Sequence, residues 1–227
     1  MRVVSVVPSV TETLAAWGIE PIACTRYCER PDLVHIGGTK NPDINAIVDL
    51  APDLVVMDIE ENRRDDAEAL TAAGCEILAL HVDSIEGLPA QLARLAEAVG
   101  VPAPECTMTA RSSTGLRALV PIWRRPWMTV GGATYGSSLL GFLGVENVAA
   151  TASVPYPEFT IDEMATARPD VVLVPSEPYE FTDAHLAELA VIAPTVRIDG
   201  QDLFWWGART PDALRRLGQV VDDLVRR

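Results

Sequence analysis

The chain has 227 residues, of which 48% are hydrophobic, and it carries a formal net charge of −14. Its length and apolar content predict a folded globular protein with a substantial core. The acidic balance argues against nucleic acid and anionic lipid as partners, because both attract basic surfaces. No stretch has the roughly 18 unbroken apolar residues that crossing a bilayer requires.

The chain starts with a strand-like segment, since RVVSVVPS follows Met1 directly. No basic region, apolar region and small-residue cleavage site precede this segment, so the sequence as it stands predicts a cytoplasmic protein. An extracytoplasmic location is expected instead if residues before Met1 have been removed.

The chain contains four cysteines: Cys24, Cys28, Cys75 and Cys106. The three-residue gap between the first two is not a zinc-ribbon or thioredoxin spacing, so free thiols are expected. Cys28 lies beside a tyrosine in the segment TRYCERP, and a thiolate there is an alternative metal ligand.

A weak internal repeat runs through the chain. LAAWGIEPIA, from Leu14, corresponds to LGFLGVENVA, from Leu140, at an offset of 126 residues (140 − 14). INAIVDLAPDLVVMD, from Ile44, corresponds to IDEMATARPDVVLVP, from Ile161, at an offset of 117 residues (161 − 44). In this second pair, apolar residues at helical spacing lead through Pro-Asp into a β-branched run, which predicts a helix, a turn and a buried strand. The repeat therefore predicts one strand–helix–strand–helix–strand plan used twice.

Buried apolar strands that alternate with helices are typical of parallel sheets covered on both faces. We therefore predict an α/β protein with an N-terminal lobe over 1–82, a helical connector over 83–116 and a C-terminal lobe over 117–227. An amphipathic helix is predicted over Ser84–Val99, and two prolines soon after it predict that the connecting helix is short or broken. Ligands of open α/β sheets bind beyond the carboxyl ends of the strands, so a cleft between the lobes is the expected site.

Two helix starts carry the residues of a capping box. Ser9 with Glu12 marks the start of the first helix, and Thr160 with Glu163 marks a helix in the second half. Both pairs precede apolar residues at helical spacing, which supports the repeated plan.

Aromatic residues are concentrated in segments that follow predicted strands. They make up only 6% of the chain, yet Phe204, Trp205 and Trp206 are consecutive. The other such segments are TRYCERP, GGTKNPD, EENRR, WRRPWM, VPYPEF and SEPYEF. Plugging the core would explain one or two rings, whereas a whole set at one rim favours a large, flat, partly apolar ligand. Arg124, Arg125 and Arg209 would add hydrogen bonds to the ligand, with surface ion pairs as the alternative.

The order of these motifs resembles one protein family. The segments IWRRPWMTVGGATYGSSLLGFLGVENV, YPEFTIDEMATARPDVVLVPSEPYEF and DGQDLFWWGAR are similar to the helical-backbone substrate-binding proteins of ABC importers. RVVSVVPSVTETLAAWG and TRYCERP extend the likeness to the N-terminal half, so it covers most of the chain. The resemblance is to the cobalamin-binding branch first, with iron-siderophore and haem binders as more distant relatives. It implies two α/β lobes joined by a long helix, with the ligand between them.

The resemblance also implies site residues by motif position. By motif position, the rings that flank the ligand are Tyr27, Tyr156 and Trp205 or Trp206, and Trp123 and Trp127 lie where the second lobe faces the cleft. Phe204, Arg124 and Arg209, which the residue pattern above singles out, complete the set expected to contact the ligand. One acidic residue on each lobe is expected to contact the membrane transporter, and the matches are Glu61, or its neighbour Glu60, and Glu177. Ordinary solvated carboxylates are the alternative for these residues.

Together these features predict a non-enzymatic substrate-binding protein that holds a cobalamin-like or other metal-chelate ligand for an ABC permease. No resident cofactor and no metal site are expected, and the sequence lacks a Gly-x-Ser-x-Gly elbow, a Walker loop and a His-x-x-Glu-His motif. The alternatives are a cytoplasmic carrier or sensor of such a compound, an enzyme on the same fold using Cys28, His81 or Glu177, and an interaction module without a small ligand. Corrinoid, haem, siderophore and other aromatic ligands all stay open on the sequence alone.

Overall fold

The structure is a computed structural model, and it describes residues 1–105 and 107–226. The chain divides into two units, whose composition differs from that of the predicted lobes. Unit 1 comprises Met1–Val82, Gly87–Cys106 and Trp206–Arg209. Unit 2 comprises Asp83–Glu86, Thr107–Trp205 and Thr210–Arg227. The predicted connector is thus shared between the units, and a short segment near the C-terminus belongs to unit 1.

Unit 1 is built on a parallel sheet. Its strands are β1 (Val3–Ser5), β2 (Ala23–Cys24), β3 (Val34–His35), β4 (Gly37–Gly38), β5 (Asn41–Pro42), β6 (Leu54–Asp58) and β7 (Ile77–Leu80). Its helices are α1 (Pro8–Ala16), α2 (Ile44–Asp49), α3 (Arg64–Ala72) and α4 (Leu88–Val99). The parallel strands follow the order β3-β2-β1-β6-β7, and β4 pairs with β5 in a short antiparallel hairpin.

Unit 2 has the same kind of sheet. Its strands are β8 (Arg117–Leu119), β9 (Pro121–Trp123), β10 (Met128–Thr129), β11 (Glu146–Asn147), β12 (Val171–Pro175) and β13 (Thr195–Ile198). Its helices are α5 (Tyr135–Phe142), α6 (Ile161–Thr166), α7 (Asp183–Leu189), α8 (Gly200–Phe204) and α9 (Thr210–Val225). The parallel strands follow the order β11-β8-β12-β13, while β9 and β10 form an antiparallel hairpin after β8.

The predicted repeat is confirmed by the topology of the two sheets. The order β2-β1-β6-β7 in unit 1 matches β11-β8-β12-β13 in unit 2, and β3 is an additional edge strand of unit 1. The helices after the first strand of each unit, α1 and α5, are both followed by a glycine in the left-handed region. Gly18 has φ 74° and Gly144 has φ 78°, a conformation that other residues adopt at a cost.

The recurring Pro-Asp dipeptide has the same structural role in both units. Asp53, just before β6, accepts a hydrogen bond from the backbone nitrogen of Arg2 at 2.6 Å. Asp170, just before β12, accepts one from the backbone nitrogen of Arg117 at 2.8 Å. In each unit this carboxylate joins the amino ends of two neighbouring strands, which explains why the motif appears twice.

The core of each unit is packed around one fully buried interior strand of its sheet. All residues of β6 and of β12 are buried, as expected for strands covered on both faces. The core cluster of unit 1 includes Val4, Val55, Met57 and Leu70. That of unit 2 includes Leu119, Met164, Val172 and Leu189. In the described part of the chain, no helix has the length and apolar character needed to cross a membrane.

Helix α4 is shorter than predicted, because it begins at Leu88 rather than at Ser84. It ends at Val99, as predicted, and its C-cap is Gly100, which has φ 74°. Its buried face is the predicted one: Leu88, Leu92, Leu95 and Val99. The described residues of 101–116 form no further helix, and prolines without a backbone N–H lie at the start of this stretch. The predicted connector is therefore one short helix followed by irregular chain.

The two predicted capping boxes have different outcomes. Thr160 and Glu163 form the reciprocal pair at the start of α6, as predicted. The prediction for Ser9 and Glu12 is wrong, because α1 begins at Pro8 and its N-cap receives no side-chain hydrogen bond from the described residues. Proline suits the first helical position, and the N-cap is Val7 rather than Ser9, so the helix starts two residues earlier than predicted.

Candidate functional site

Tyr27 presents an exposed ring at the carboxyl edge of the unit 1 sheet. It follows β2 and is 55% exposed. A Cβ on Gly38, in the hairpin after β3, would lie only 3.1 Å from Tyr27 Cε2, so the ring rests on that glycine. Arg26 lies with its guanidinium carbon 5.0 Å from the ring centroid and donates from Nη2 to Tyr27 Oη at 3.0 Å. A ring and a cation are thus presented together, and of the two only the ring was predicted from the sequence.

A buried carboxylate lies at the same edge, on the last residue of β6. Asp58 is 3% exposed, and its Oδ1 accepts from the backbone nitrogens of Glu60 at 2.8 Å and Glu61 at 3.2 Å. Its Oδ2 has no hydrogen-bond partner within the described residues. Burial raises the pKa of Asp58 to about 6. Asn62 holds the loop by donating from Nδ2 to two backbone carbonyls, while Glu61 itself is exposed.

The raised pKa of Asp58 predicts a pH-dependent stability. The folded state binds this proton more tightly than the unfolded state, where the pKa is near 3.8. The buried carboxylate therefore does not destabilise the fold below about pH 4, where it is protonated in both states. Its destabilising effect grows as pH rises through about 6, where the folded state also loses the proton, and is complete above that pH. We expect Asp58→Asn to remove this dependence and to gain up to about 3 kcal/mol over the native chain at about pH 8. Urea unfolding at several pH values would measure it, and parallel curves for both chains would contradict it.

Arg209 is part of an ion pair within unit 1, as the alternative in the sequence analysis allowed. Its Nη2 lies 2.8 Å from Oε1 of Glu12 in α1, and its Nε lies 3.0 and 3.1 Å from the two carboxylate oxygens. Gly207, with φ 116°, approaches the same helix so closely that a Cβ would lie 2.0 Å from Thr13 Oγ1. Trp206 is only 4% exposed. Of the predicted contacts in this segment, Trp206 is thus corrected to a core residue, because the segment is bound to α1.

Five rings form what we call the ring cluster of unit 2: Trp123, Trp127, Tyr179, Phe181 and His185. Trp127 stacks on Phe181 with centroids 6.0 Å apart and an interplanar angle of 7°. Trp123 meets Tyr179 edge-on at 5.1 Å, and Tyr179 also contacts Phe181 at 4.8 Å and His185 at 5.7 Å. The hairpin after β8 and the loop after β12 therefore support each other. Trp123 is 45% exposed and forms the outer ring of this cluster.

Arg124 stiffens the ring cluster. It makes a bidentate pair with Glu188 of α7, at 2.7 and 2.8 Å from Nη2 and 3.0 Å from Nε. Its guanidinium carbon also lies 5.5 Å from the centroid of the Trp127 ring. The planar fork of arginine suits both contacts. Arg124 is therefore engaged in an ion pair, which was the alternative to a ligand contact.

Tyr156 and Phe204 have different environments. Tyr156, in the loop after β11, is 39% exposed. This loop crosses Gly131 and Gly132 closely, and Gly131 donates its N–H to the loop backbone at 2.7 Å. Phe204 is half-buried against α5, where a Cβ on Gly136 would lie 3.3 Å from its Cε1. Tyr156 is thus presented to solvent, whereas Phe204 is largely a packing residue.

Trp205 is half-buried, and its side chain is hydrogen-bonded to Glu177, which was also predicted as a functional residue. Its Nε1 donates to Glu177 Oε1 at 2.7 Å. Glu177 follows β12, and Gly200 opens α8 after the neighbouring strand β13. A Cβ on Gly200 would lie 2.6 Å from Glu177 Cγ, and its backbone nitrogen donates to Ser176 Oγ at 2.9 Å. Close packing and hydrogen bonds therefore hold these two adjacent loops together.

Cys28 lies beneath the Tyr27 loop. Its Sγ lies 3.2 Å from Thr11 Oγ1 and 3.3 Å from Thr25 Oγ1, and the side chain is buried. A hydrogen bond from Cys24 is the main reason that its pKa is lowered to about 6. Cys24, Cys28 and Cys75 are free thiols, whereas Cys106 lies outside the described residues. Burial closes Cys28 to a bound substrate, in spite of its lowered pKa.

Comparison with known proteins identifies the fold and the family. The family model described as periplasmic binding protein matches residues 3–174. The vitamin B12-binding protein of Pectobacterium carotovorum subsp. carotovorum (strain PC1) is 23% identical over 248 residues, covering 99% of this chain and 88% of that one.

Two solved structures have the same fold. One is the periplasmic vitamin B12-binding protein BtuF of Vibrio cholerae, with a TM-score of 0.79, 18% identity and coverage of 100% of this chain and 98% of that one. The other is the periplasmic haem-binding protein BhuT in complex with two haems, with a TM-score of 0.79, 19% identity and coverage of 99% and 98%. The chain therefore belongs to the periplasmic binding protein family, as a substrate-binding protein and not an enzyme.

Proposed function

We propose that this protein binds a cobalamin-like or other flat metal-chelate ligand outside the cytoplasmic membrane and delivers it to an ABC permease. The observation that carries the proposal is the exposure of aromatic rings at the carboxyl edge of each sheet, in a chain of this family. Tyr27 in unit 1 and Trp123 and Tyr156 in unit 2 are exposed there. Relatives named for vitamin B12 or haem binding support the ligand class.

The proposed mechanism is stacking on rings that are already held in place. Tyr27 rests on Gly38 and is bonded to Arg26, and Trp123 is buttressed by Tyr179. Little side-chain freedom is lost when such rings meet a ligand, so most of the contact area contributes to affinity. Arg26 additionally suits a ligand with carboxylate, phosphate or amide groups at its periphery.

The contact with the permease is part of the same proposal. Glu61 is exposed on the loop after β6, which Lys40 holds by donating from Nζ to the carbonyl of Glu60. An exposed carboxylate on such a loop suits pairing with an arginine of a partner protein. In unit 2 the residue proposed to contact the permease is Glu177. Its Oε1 also accepts a hydrogen bond from Trp205 Nε1.

A fluorescence titration with cobalamin, and in parallel with haem, tests the proposed ligand. We expect saturable quenching of tryptophan emission at about micromolar concentration or below for one of them. Tyr27→Ala and Trp123→Ala should each weaken binding about tenfold, because each removes a stacking ring. Trp17→Ala is the matched control, since Trp17 follows the far end of α1. Absence of saturation with both ligands, or equal weakening in the control, would contradict the proposal.

A further inference from the structure

A hydrogen bond between the side chains of Glu177 and Trp205 connects two loops of unit 2. The indole Nε1–H is the single donor of the tryptophan side chain, and it is directed at Glu177 Oε1 over 2.7 Å. A hydrogen bond between an indole and a carboxylate is charge-assisted and therefore stronger than a neutral one. It fixes the plane of the ring as well as its position.

The backbone on both sides of this bond is independently held. Trp205 follows α8, and its backbone nitrogen donates to Gln201 O at 2.9 Å. On the other side, Glu177 is packed against Gly200 too tightly for any larger residue. With both backbones fixed, the remaining freedom of Trp205 is the rotation of its indole, and the bond to Glu177 removes it.

The neighbours of Trp205 show why the orientation matters. Phe204 is occupied by packing on Gly136, and Trp206 is buried. Trp205 remains partly exposed, so a ligand at this edge can reach its ring, whereas the ring of Trp206 is closed to it. A tryptophan held in one orientation presents its face at little entropic cost, whereas a free one must be ordered on binding.

We propose that Glu177 is a positioning residue for ligand binding, which holds the indole of Trp205 in the orientation that contacts the ligand. This inference rests on the proposed function. It gives Glu177 a role within the site, in addition to or in place of the permease contact predicted for it. The carboxylate acts through Trp205. Removing the carboxylate should therefore not change the affinity for the ligand when the indole is already absent.

The test compares four variants: Glu177→Ala, Glu177→Gln, Trp205→Phe and the double variant Glu177→Ala with Trp205→Phe. The ligand, cobalamin or haem, is the one that the native chain binds. We expect Glu177→Ala to weaken binding about tenfold, and Glu177→Gln, which keeps an acceptor oxygen, to weaken it by about threefold or less. In the Trp205→Phe background, Glu177→Ala should cost nothing further. Glu180→Ala is the matched control, because it removes the same charge from the same loop, and it should bind as the native chain does.

A second readout needs no ligand. In ¹⁵N-correlated NMR spectra, the Trp205 indole N–H, assigned from its loss in Trp205→Phe, should be protected from exchange in the native chain. It should lose that protection in Glu177→Ala and keep most of it in Glu177→Gln. Native-like binding by Glu177→Ala, or an equal penalty with and without the indole, would overturn the proposal. If the native chain bound neither ligand, the proposed function would fail, and an unprotected indole N–H would separately overturn the positioning role.

Discussion

Replacing Gly132 by alanine should destabilise unit 2 by about 2 kcal/mol and weaken ligand binding as well. A Cβ at this position would lie 2.0 Å from the carbonyl oxygen of Ala150 and 2.9 Å from its carbonyl carbon. These are backbone atoms, so the loop that leads to Tyr156 must move to admit the methyl group. Chemical unfolding would measure the loss of stability, and ligand titration would measure the displacement of Tyr156.

The matched control for this prediction is Gly141→Ala. Gly141 lies in α5, and apart from the backbone of the helix and the two chain neighbours no described atom comes within 4 Å of a Cβ built there. Alanine favours a helix over glycine, so this variant should gain about 0.5 kcal/mol and bind normally. If Gly132→Ala behaved like Gly141→Ala in both assays, the close crossing of the Tyr156 loop would be wrong.

Replacing Arg216 by alanine should cost about 3 kcal/mol of unfolding free energy. Asp202 in α8 is 1% exposed, and Arg216 in α9 donates to its two oxygens at 2.5 and 2.6 Å. Removing the cation takes a charged partner away from a buried carboxylate, which is far more costly than taking one away from an exposed carboxylate. Because Asp202 lies in α8, two residues before the three consecutive rings Phe204, Trp205 and Trp206, we also expect weaker ligand binding.

Two further variants isolate the cause. Arg215→Ala removes the neighbouring cation, whose partner Asp212 is exposed, and should change stability by less than about 0.5 kcal/mol. Adding Asp202→Asn to Arg216→Ala should recover part of the loss by removing the buried charge. An Arg216→Ala chain as stable as Arg215→Ala would show that the pair is not buried in solution. Urea unfolding monitored by circular dichroism suffices for all of them.

The fold was predictable because its determinants are local and occur twice. Apolar runs bounded by Pro-Asp indicated the central strands β6 and β12, and the offset repeat indicated that one topology is used in both units. The Pro-Asp carboxylates proved to bond the backbone of Arg2 and Arg117, so the repeated letters correspond to a repeated contact. The start of α1 was mispredicted because a proline at the first helical position outweighed the Ser-x-x-Glu pattern.

The candidate site was predictable only as a set of loops. Sequence position placed Tyr27, Trp123 and Trp205 after strands, but it did not show which of several adjacent rings faces solvent. Trp206 is buried because Gly207 and Arg209 attach its segment to α1, a contact between residues nearly two hundred positions apart. Tyr179 and Phe181 of the ring cluster were missed for the same reason, since their partners Trp123 and Trp127 are more than fifty residues away.

Equilibrium dialysis of the purified protein against cobalamin, and separately against haem, tests the central claim most directly. It counts bound ligand without relying on any optical change in the protein. We expect saturable binding of at least one of these two chelates, reduced in Tyr27→Ala and Trp123→Ala and unchanged in Trp17→Ala. Dialysis that leaves both chelates at equal concentration on the two sides, with a folded protein present, would contradict the proposed function.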